Sequence, residues 1–159
     1  MSDRVVNVIV AGLGGQGAIK ASDILADAAF RAGRDVKKAE IHGMSQRGGS
    51  VTSDVRFGKL VHSPMIPVGE ADFLVVLAPS EVAVTKPLLS PRGLLIPPDA
   101  VDEAKLVNKR SLNVALLGVL SARLDLPEEH WLAALRAALP ERLHAANEAA
   151  FKLGRETKP

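Results

Sequence analysis

The sequence of 159 residues predicts an α/β fold of three layers, with a mostly parallel sheet, an antiparallel hairpin excursion and a helical C-terminal part. Residues 5–11 are rich in β-branched side chains, which is typical of a strand buried on both faces. A glycine-rich turn follows this strand, and a helical pattern follows the turn. The length suits a single domain over residues 1–159, with a sizeable core but no room for a second domain.

The N-terminal half alternates strand and helix patterns. Residues 18–32 place their apolar side chains on one helical face, and Gly33 suits the C-terminal cap of that helix. Residues 35–41 predict a second strand, so a parallel pair with a right-handed crossover is expected. Residues 51–57 alternate apolar and polar side chains, and a tight turn at Gly58-Lys59 would lead into residues 60–62. This segment therefore predicts an antiparallel, half-exposed pair.

The C-terminal half begins with two more buried strands, over residues 73–78 and 94–96, each followed by proline. The rest is helical in pattern, with Ser111 and Pro127 suited to helix starts. Three helices are predicted, over residues 111–124, 127–139 and 141–153. Gly154 is expected to lie beyond the last of them.

The composition excludes several classes of function. A net charge of +2, from 20 basic and 18 acidic residues, is too balanced to indicate nucleic-acid binding, and an aromatic content of 3% disfavours stacking on bases. The small basic pairs Lys37-Lys38 and Lys109-Arg110 are interpreted as solvent-exposed surface. The absence of cysteine excludes disulfides, thiol catalysis and cysteine-ligated iron–sulfur clusters on this chain. Because no signal-peptide pattern and no apolar run of ~18 residues is present, a cytoplasmic protein without a membrane span is expected.

The first loop of interest is Gly12-Leu13-Gly14-Gly15-Gln16-Gly17, which matches the pattern GxGxxG. It lies between a predicted strand and a predicted helix, as such a loop does in a Rossmann-like fold. Its glycines permit close backbone approach, and the helix N-terminus offers unpaired N–H groups to an anion. Glu40 lies near the end of the second strand, where an acid would bind a ribose. Alone, the pattern indicates a dinucleotide site, but such turns also serve to pack a helix against a strand, and both interpretations stay open.

The second loop runs from His42 to Ser50, and the two loops are expected to emerge close together at one end of the sheet. Arg47 carries a planar fork for a carboxylate or phosphate, and the neighbouring glycine amides can join it. The stretch Gly43–Arg47 resembles a nucleophile elbow superficially, but Arg47 stands where glycine is needed. His42 has no activated nucleophile to serve, so a hydrogen bond within the loop suits it better than general-base catalysis. The candidate binding or partner-facing residues are therefore Gly12, Gly14, Gly15, Gln16, Gly17, His42, Gly43, Met44, Ser45, Gln46, Arg47, Gly48 and Gly49.

No catalytic residue and no metal site is predicted on this chain alone. The four histidines are His42, His62, His130 and His144, and none shows the HExxH or a similar zinc-ligand spacing.

Together the two loops resemble one family, the gamma-type subunits of 2-oxoacid:ferredoxin oxidoreductases, and most of all the beta subunit of indolepyruvate:ferredoxin oxidoreductase. The resemblance rests first on the glycine turn and on the stretch from His42 to Val51. It continues through Val55-Arg56-Phe57-Gly58, Ser63-Pro64, Ile66-Pro67, Gly69-Glu70-Ala71-Asp72, Asn113, Leu117-Gly118, Asn147, Ala150-Phe151 and Gly154. It covers nearly the whole chain. One departure is that the segment between Pro98 and Ser111 is shorter than expected for the family.

The resemblance implies that the cofactors and this chain belong to different subunits of one complex. Thiamine diphosphate, Mg and 4Fe-4S clusters are expected on a large partner subunit, coenzyme A is the co-substrate, and ferredoxin accepts the electrons. The reaction implied is oxidative decarboxylation of a 2-oxoacid to an acyl-CoA and carbon dioxide. This chain would be a non-redox subunit, inactive alone, whose glycine loops face the large subunit. Two alternatives stay open: an autonomous dinucleotide-binding module, such as a small NAD(P) or flavin reductase, and a purely structural or regulatory partner.

Overall fold

The computed structural model describes residues 4–42 and 49–157, which form one five-stranded sheet with helices on both faces. The strands are β1 (Val6–Leu13), β2 (Asp35–His42), β3 (Ser50–Gly58), β4 (Ala71–Val76) and β5 (Leu89–Ile96). The helices are α1 (Ala18–Arg31), α2 (Pro79–Thr85), α3 (Leu112–Ser121), α4 (Glu128–Ala138) and α5 (His144–Glu156). In the described part of the chain, no helix combines the length and apolar character needed to cross a membrane.

The strand order is β2-β3-β1-β4-β5. β1 pairs in parallel with β4, and β4 with β5, whereas β3 runs antiparallel to both of its neighbours, β1 and β2. The predicted α/β fold is confirmed, with parallel pairing confined to β1, β4 and β5. The antiparallel excursion is β3 itself, inserted between the first two strands of the chain.

Two local pairings predicted from the sequence are wrong, and β3 is the reason for both. β1 and β2 do not pair, because β3 fills the space between them in continuous register, from Val6 opposite Phe57 to Leu13 opposite Ser50. Residues 60–62 form no strand, because both edges of β3 are already hydrogen-bonded. Instead the Val61 N–H donates to the Asp35 carboxylate at 2.7 Å, which pins the segment after the strand.

One face of the sheet carries the main core. Alternate residues of β1, including Val8 and Val10, pack there with side chains from α1, α3, α4 and α5. Trp131 and Phe151 are fully buried, with ring centroids 5.7 Å apart. This aromatic pair packs α4 against α5.

The contact between α3 and α5 depends on two glycines. A Cβ added at Gly118 would lie 2.1 Å from the Phe151 carbonyl oxygen, and one at Gly154 would lie 1.8 Å from the Ala115 carbonyl oxygen. The prediction that Gly154 lies beyond the last helix is therefore wrong. α5 extends through it, and its lack of a side chain lets the two helix backbones touch.

The opposite face is covered more thinly, by α2 and by the irregular segment between β3 and β4. Ile9, Leu74 and Val76 pack there beneath Ile66. Asp54 is also buried on this side, and its carboxylate accepts a hydrogen bond from the Ile66 N–H at 3.0 Å. Burial raises the pKa of Asp54, against the lowering effects of that hydrogen bond and of the nearby Arg56 charge.

The helix boundaries are close to those predicted. α1 ends as expected at Gly33, where the N–H groups of Gly33 and Arg34 donate to the Phe30 and Ala29 carbonyls at 3.0 Å each. Pro127 immediately precedes α4, also as expected. α2 was not predicted, because Pro79 was interpreted as a strand stop, whereas it occupies the first turn of this short helix.

Candidate functional site

A cleft of about 1440 Å³ opens at the carboxyl-terminal ends of β1, β4 and β5. In open α/β sheets this edge is where ligands bind, because the loops that leave parallel strands diverge there. One wall is the glycine turn and the start of α1, and another is the start of α3. The remaining lining includes Leu77, Pro79, Val82, Pro97, Pro98, Asp99, Val101, Asp102 and Glu103.

The glycine turn is held by hydrogen bonds of its own. The Gln16 N–H donates to the Leu13 carbonyl at 3.1 Å, and the Gln16 side-chain oxygen accepts from the Leu13 N–H at 2.7 Å. Gly15 and Gly17 have φ values of 87° and 85°, a backbone region that side chains disfavour. Among residues 4–42 and 49–157, nothing lies within 4 Å of a Cβ added at Gly15, so the described part of the chain leaves space on that side of the turn.

Asn113 ties the start of α3 to the start of α1. Its side-chain amide donates to the Gly17 carbonyl at 3.2 Å, across 96 residues of sequence. A Cβ at Gly17 would lie 2.5 Å from that amide nitrogen. The sequence marked Asn113 as part of the C-terminal resemblance but gave no sign of this contact, since no local pattern connects the two positions.

The charges around the cleft are mixed. Lys20, Lys109 and Arg110 contribute positive charge, while Asp99, Asp102 and Glu103 contribute negative charge. Lys20 donates to the Ala138 carbonyl at 3.3 Å and is therefore engaged with the end of α4. Lys109 and Arg110 are exposed, as predicted, and additionally line the cleft beside the start of α3. The same prediction is wrong for Lys37 and Lys38, which are half-buried in β2, and Lys38 pairs with Asp23 and Glu40.

The second loop leaves the sheet beside the glycine turn. The Gly14 N–H donates to the Gly49 carbonyl at 2.9 Å, which confirms that the two loops lie together. Gly43, Met44, Ser45, Gln46, Arg47 and Gly48 lie outside the described residues. A smaller cavity of about 410 Å³ lies on this side of the turn, and its described lining is Leu13, Gly14, Gly15, Gly17, Ala18, Ile19, His42 and Val51.

The geometry disfavours the ribose-binding role considered for Glu40. In the dinucleotide pattern the second strand is the neighbour of the first, whereas here β3 separates β2 from β1. The Glu40 carboxylate is also engaged, accepting from Lys38 Nζ at 3.0 Å. The His42 side chain is 60% exposed, and its Nε2 lies 4.0 Å from the Glu40 carboxylate, which is beyond hydrogen-bond distance.

Among residues 4–42 and 49–157, no group of three His, Asp or Glu side chains is placed to hold a metal ion. The arrangement therefore offers a glycine turn and a large cleft of mixed charge, in which the exposed Lys109 and Arg110 lie beside three exposed carboxylates, Asp99, Asp102 and Glu103. This chemistry suits binding an anionic group or a partner surface.

Comparison with known proteins agrees with the architecture. Residues 7–100 match the family described as pyruvate ferredoxin/flavodoxin oxidoreductase. A relative from Thermococcus kodakarensis, indolepyruvate oxidoreductase subunit IorB, is 34% identical over 93% of this chain and 93% of its own length. The aligned stretch of 188 residues is longer than this chain of 159, so that relative carries segments that this chain lacks. The Archaeoglobus fulgidus protein of the same description is 48% identical over 57% of this chain and 45% of its own length.

Solved structures share the fold. The gamma subunit of a keto/oxoacid ferredoxin oxidoreductase from Geobacter sulfurreducens has a TM-score of 0.74 and 23% identity, covering 96% of this chain and 97% of the other. The 2-oxoglutarate:ferredoxin oxidoreductase of Magnetococcus marinus, solved with 2-oxoglutarate, coenzyme A and succinyl-CoA bound, has a TM-score of 0.80 and 20% identity. The match covers 97% of this chain and 31% of that longer one.

Proposed function

The chain belongs to the pyruvate ferredoxin/flavodoxin oxidoreductase family, and we propose that it is the small, non-redox subunit of a thiamine-diphosphate-dependent 2-oxoacid:ferredoxin oxidoreductase. The proposed substrate is indolepyruvate or another arylpyruvate. The 2-oxoacid and coenzyme A give an acyl-CoA and carbon dioxide, and the two electrons released reduce ferredoxin. The observation that carries the proposal is the likeness over 93% of both chains to a relative named as an indolepyruvate oxidoreductase subunit.

The cofactors belong to the large partner subunit in this proposal. The residues of this chain do not fit a 4Fe-4S cluster, since it has no cysteine. In the part of the chain that the structure describes, no carboxylate or histidine cluster fits a metal ion such as Mg²⁺ either. The redox and decarboxylation chemistry is therefore assigned to the partner, and binding and positioning to this chain.

The glycine-loop end of the sheet is the part of this chain that we assign to face the large subunit near the coenzyme A or thiamine site. Arg47 and the amides of Gly48 and Gly49 would steady anionic groups there. The cleft supports the same assignment, because the glycine turn and the exposed side chains of Lys109 and Arg110 line one opening, together with the acidic Asp99, Asp102 and Glu103. Coenzyme A carries the phosphates that such groups bind.

The first experiment is to purify the tagged chain from its native host, identify what accompanies it by mass spectrometry, and assay iron. We expect a large, cysteine-rich, thiamine-binding partner with iron. The purified assembly should reduce ferredoxin in a reaction that needs both an arylpyruvate and coenzyme A. Recovery of the chain alone, or only as its own oligomer, would contradict the proposal.

The second experiment tests the loop residues in the reconstituted complex. Arg47→Ala and the double variant Lys109→Glu/Arg110→Glu are each expected to raise the KM for coenzyme A about tenfold, since a charge-assisted hydrogen bond contributes roughly 1.5–3 kcal/mol. Arg123→Ala is the matched control, because Arg123 is exposed just beyond the far end of α3. If Arg47→Ala left assembly, KM and turnover all unchanged, its assigned role would be wrong.

An autonomous dinucleotide-binding module is the second candidate, favoured by the GxGxxG turn between β1 and α1. Titration calorimetry of the isolated chain with NAD(H), NADP(H), FMN and FAD separates the two. The subunit proposal predicts no binding, whereas micromolar binding of one of them would favour a small reductase. A purely structural partner would behave differently again, because charge changes in the second loop would alter assembly without changing any KM.

A further inference from the structure

Glu81 is a buried carboxylate that the proposed function does not use. It lies in α2, is 6% exposed and accepts a hydrogen bond from the Ser50 hydroxyl at 2.8 Å. Removing a carboxylate from water costs free energy unless hydrogen bonds compensate for the lost hydration. Glu81 lies in the first turn of α2, where the helix N-terminus favours an acidic side chain, and the Ser50 hydrogen bond directs its carboxylate to the start of β3.

Ser50 is the first residue of β3 and lies where the second loop joins the sheet. In register it pairs with Leu13, the last residue of β1 before the glycine turn. The residue before it, Gly49, accepts the hydrogen bond from Gly14. The exit of the second loop is thus held from two directions, by the glycine turn through Gly49 and by α2 through Ser50.

α2 also borders the cleft. Pro79 at its start and Val82, the residue after Glu81, both line the opening. The same short helix therefore contacts the cleft with one side and the loop exit with another. A displacement of α2 would therefore move the cleft wall. It would also move the start of β3, because the hydrogen bond between Ser50 and Glu81 joins these two elements across 31 residues of sequence.

We infer that Glu81 is a positioning residue, whose carboxylate holds Ser50 and thereby fixes the exit of the second loop relative to the glycine turn and the cleft. The expected effect on catalysis rests on the proposed function, because it is measured as the use of coenzyme A by the complex. The expected effect on the loop exit does not rest on the proposed function, because it is measured on the chain itself. Small misplacements of groups that orient a reactant cost large factors in rate, so the expected consequence is measurable.

Four variants test the inference: Glu81→Ala, Ser50→Ala, Glu81→Gln and Thr85→Val. The first two remove the hydrogen bond, while glutamine retains an acceptor oxygen for the Ser50 hydroxyl. Thr85→Val is the matched control. Thr85 is buried in the same helix and donates to the Glu81 backbone carbonyl at 2.6 Å, so its loss weakens α2 without touching Ser50.

The first readout is amide hydrogen exchange of the full chain. Exchange of the Gly14 amide, which donates to Gly49, is expected to rise about tenfold in Glu81→Ala and Ser50→Ala, and to stay near wild type in Glu81→Gln. Equal exchange in Glu81→Ala and Thr85→Val would overturn the inference, because any weakening of α2 would then have the same effect. Behaviour of Glu81→Gln like Glu81→Ala would also overturn it, since the hydrogen bond would not be the cause.

The second readout is steady-state kinetics of the reconstituted complex. Glu81→Ala is expected to lower kcat/KM for coenzyme A about tenfold, to leave the KM for the 2-oxoacid unchanged, and to be rescued by glutamine. If Glu81→Ala raised the KM for the 2-oxoacid as much as the KM for coenzyme A, a role at the loop exit would be contradicted. If the wild-type complex had no 2-oxoacid activity while the exchange results held, the proposed function would fail and the structural role of Glu81 would stand.

Discussion

The glycine turn between β1 and α1 and the contact between α3 and α5 both depend on glycine, for opposite physical reasons. In the turn, Gly15 and Gly17 adopt positive φ, and no described residue lies within 4 Å of a Cβ added at Gly15. In the helix pair, Gly118 and Gly154 have ordinary helical backbones but no room for a Cβ. The comparison teaches that a glycine in the sequence can expose a backbone or bring two backbones together, and that its neighbours in space decide which.

The two regions also differ in what glycine costs. Within a helix, glycine is about 1 kcal/mol less favourable than alanine, so the α3–α5 contact must offset about 2 kcal/mol for its two glycines. Burial around the contact supplies this, because Ala115, Ala150 and Phe151 are almost completely buried there. At Gly15 no described residue packs against the Cβ position, so the positive φ of the turn is the reason for glycine there.

The largest effect is expected for Gly118→Ala. The new Cβ would meet the Phe151 carbonyl oxygen at 2.1 Å, and since backbone cannot rotate away as a side chain can, α5 must move. We expect a loss of about 3 kcal/mol in the free energy of unfolding, measured by urea denaturation. Helix propensity alone predicts the opposite sign, a gain of about 1 kcal/mol, and that result would contradict the proposed reason for glycine at this contact.

A smaller loss, about 2 kcal/mol, is expected for Gly17→Ala. Roughly half of it comes from the positive φ of the residue and the rest from displacement of the Asn113 side chain, whose amide hydrogen-bonds the Gly17 carbonyl. The same urea titration measures it. A loss as large as that of Gly118→Ala would show that the turn is packed as tightly as the helix pair, which would remove the distinction drawn between them.

The two causes at Gly17 separate in a double-mutant cycle. Asn113→Ala alone removes two hydrogen bonds, the one donated to the Gly17 carbonyl and the one accepted from the Val114 N–H, and is expected to cost about 2 kcal/mol. Added to Gly17→Ala, it should cost about 1 kcal/mol less than it does alone, because the clash and the hydrogen bond to Gly17 are the same contact. A coupling free energy near zero would mean that backbone strain accounts for the whole effect.

The smallest change in stability is expected for Gly15→Ala, about 1 kcal/mol from its positive φ, with no clash. The matched control is Gly33→Ala, because Gly33 has a φ of 85° and equally open surroundings but caps α1 away from the cleft. Both variants should unfold alike in urea. In the reconstituted complex, Gly15→Ala alone should raise the KM for coenzyme A; an equal effect of Gly33→Ala would show that the cleft is not involved.

Features that depend only on residues close together in the chain follow from the amino-acid pattern. The strand, glycine turn and helix at the N-terminus follow from a β-branched run, a backbone that needs glycine and a helical apolar period, and Gly33 follows from the cap geometry. The two loops also carried the family resemblance, which the comparisons confirmed. That the loops lie together was predictable, because each follows a strand that ends at the same edge of the sheet.

Which strands and helices are neighbours depends on contacts between distant segments, which no local pattern contains. The insertion of β3 between β1 and β2, which removes Glu40 from a ribose-binding position, depends on pairing between distant segments. The links from Asn113 to Gly17 and from Ser50 to Glu81 join residues 96 and 31 positions apart, and the close approach of α3 and α5 put Gly154 inside a helix. A local sequence pattern indicates the conformation of one segment. These contacts depend instead on which of all the segments pairs with each strand edge and packs on each face of the sheet.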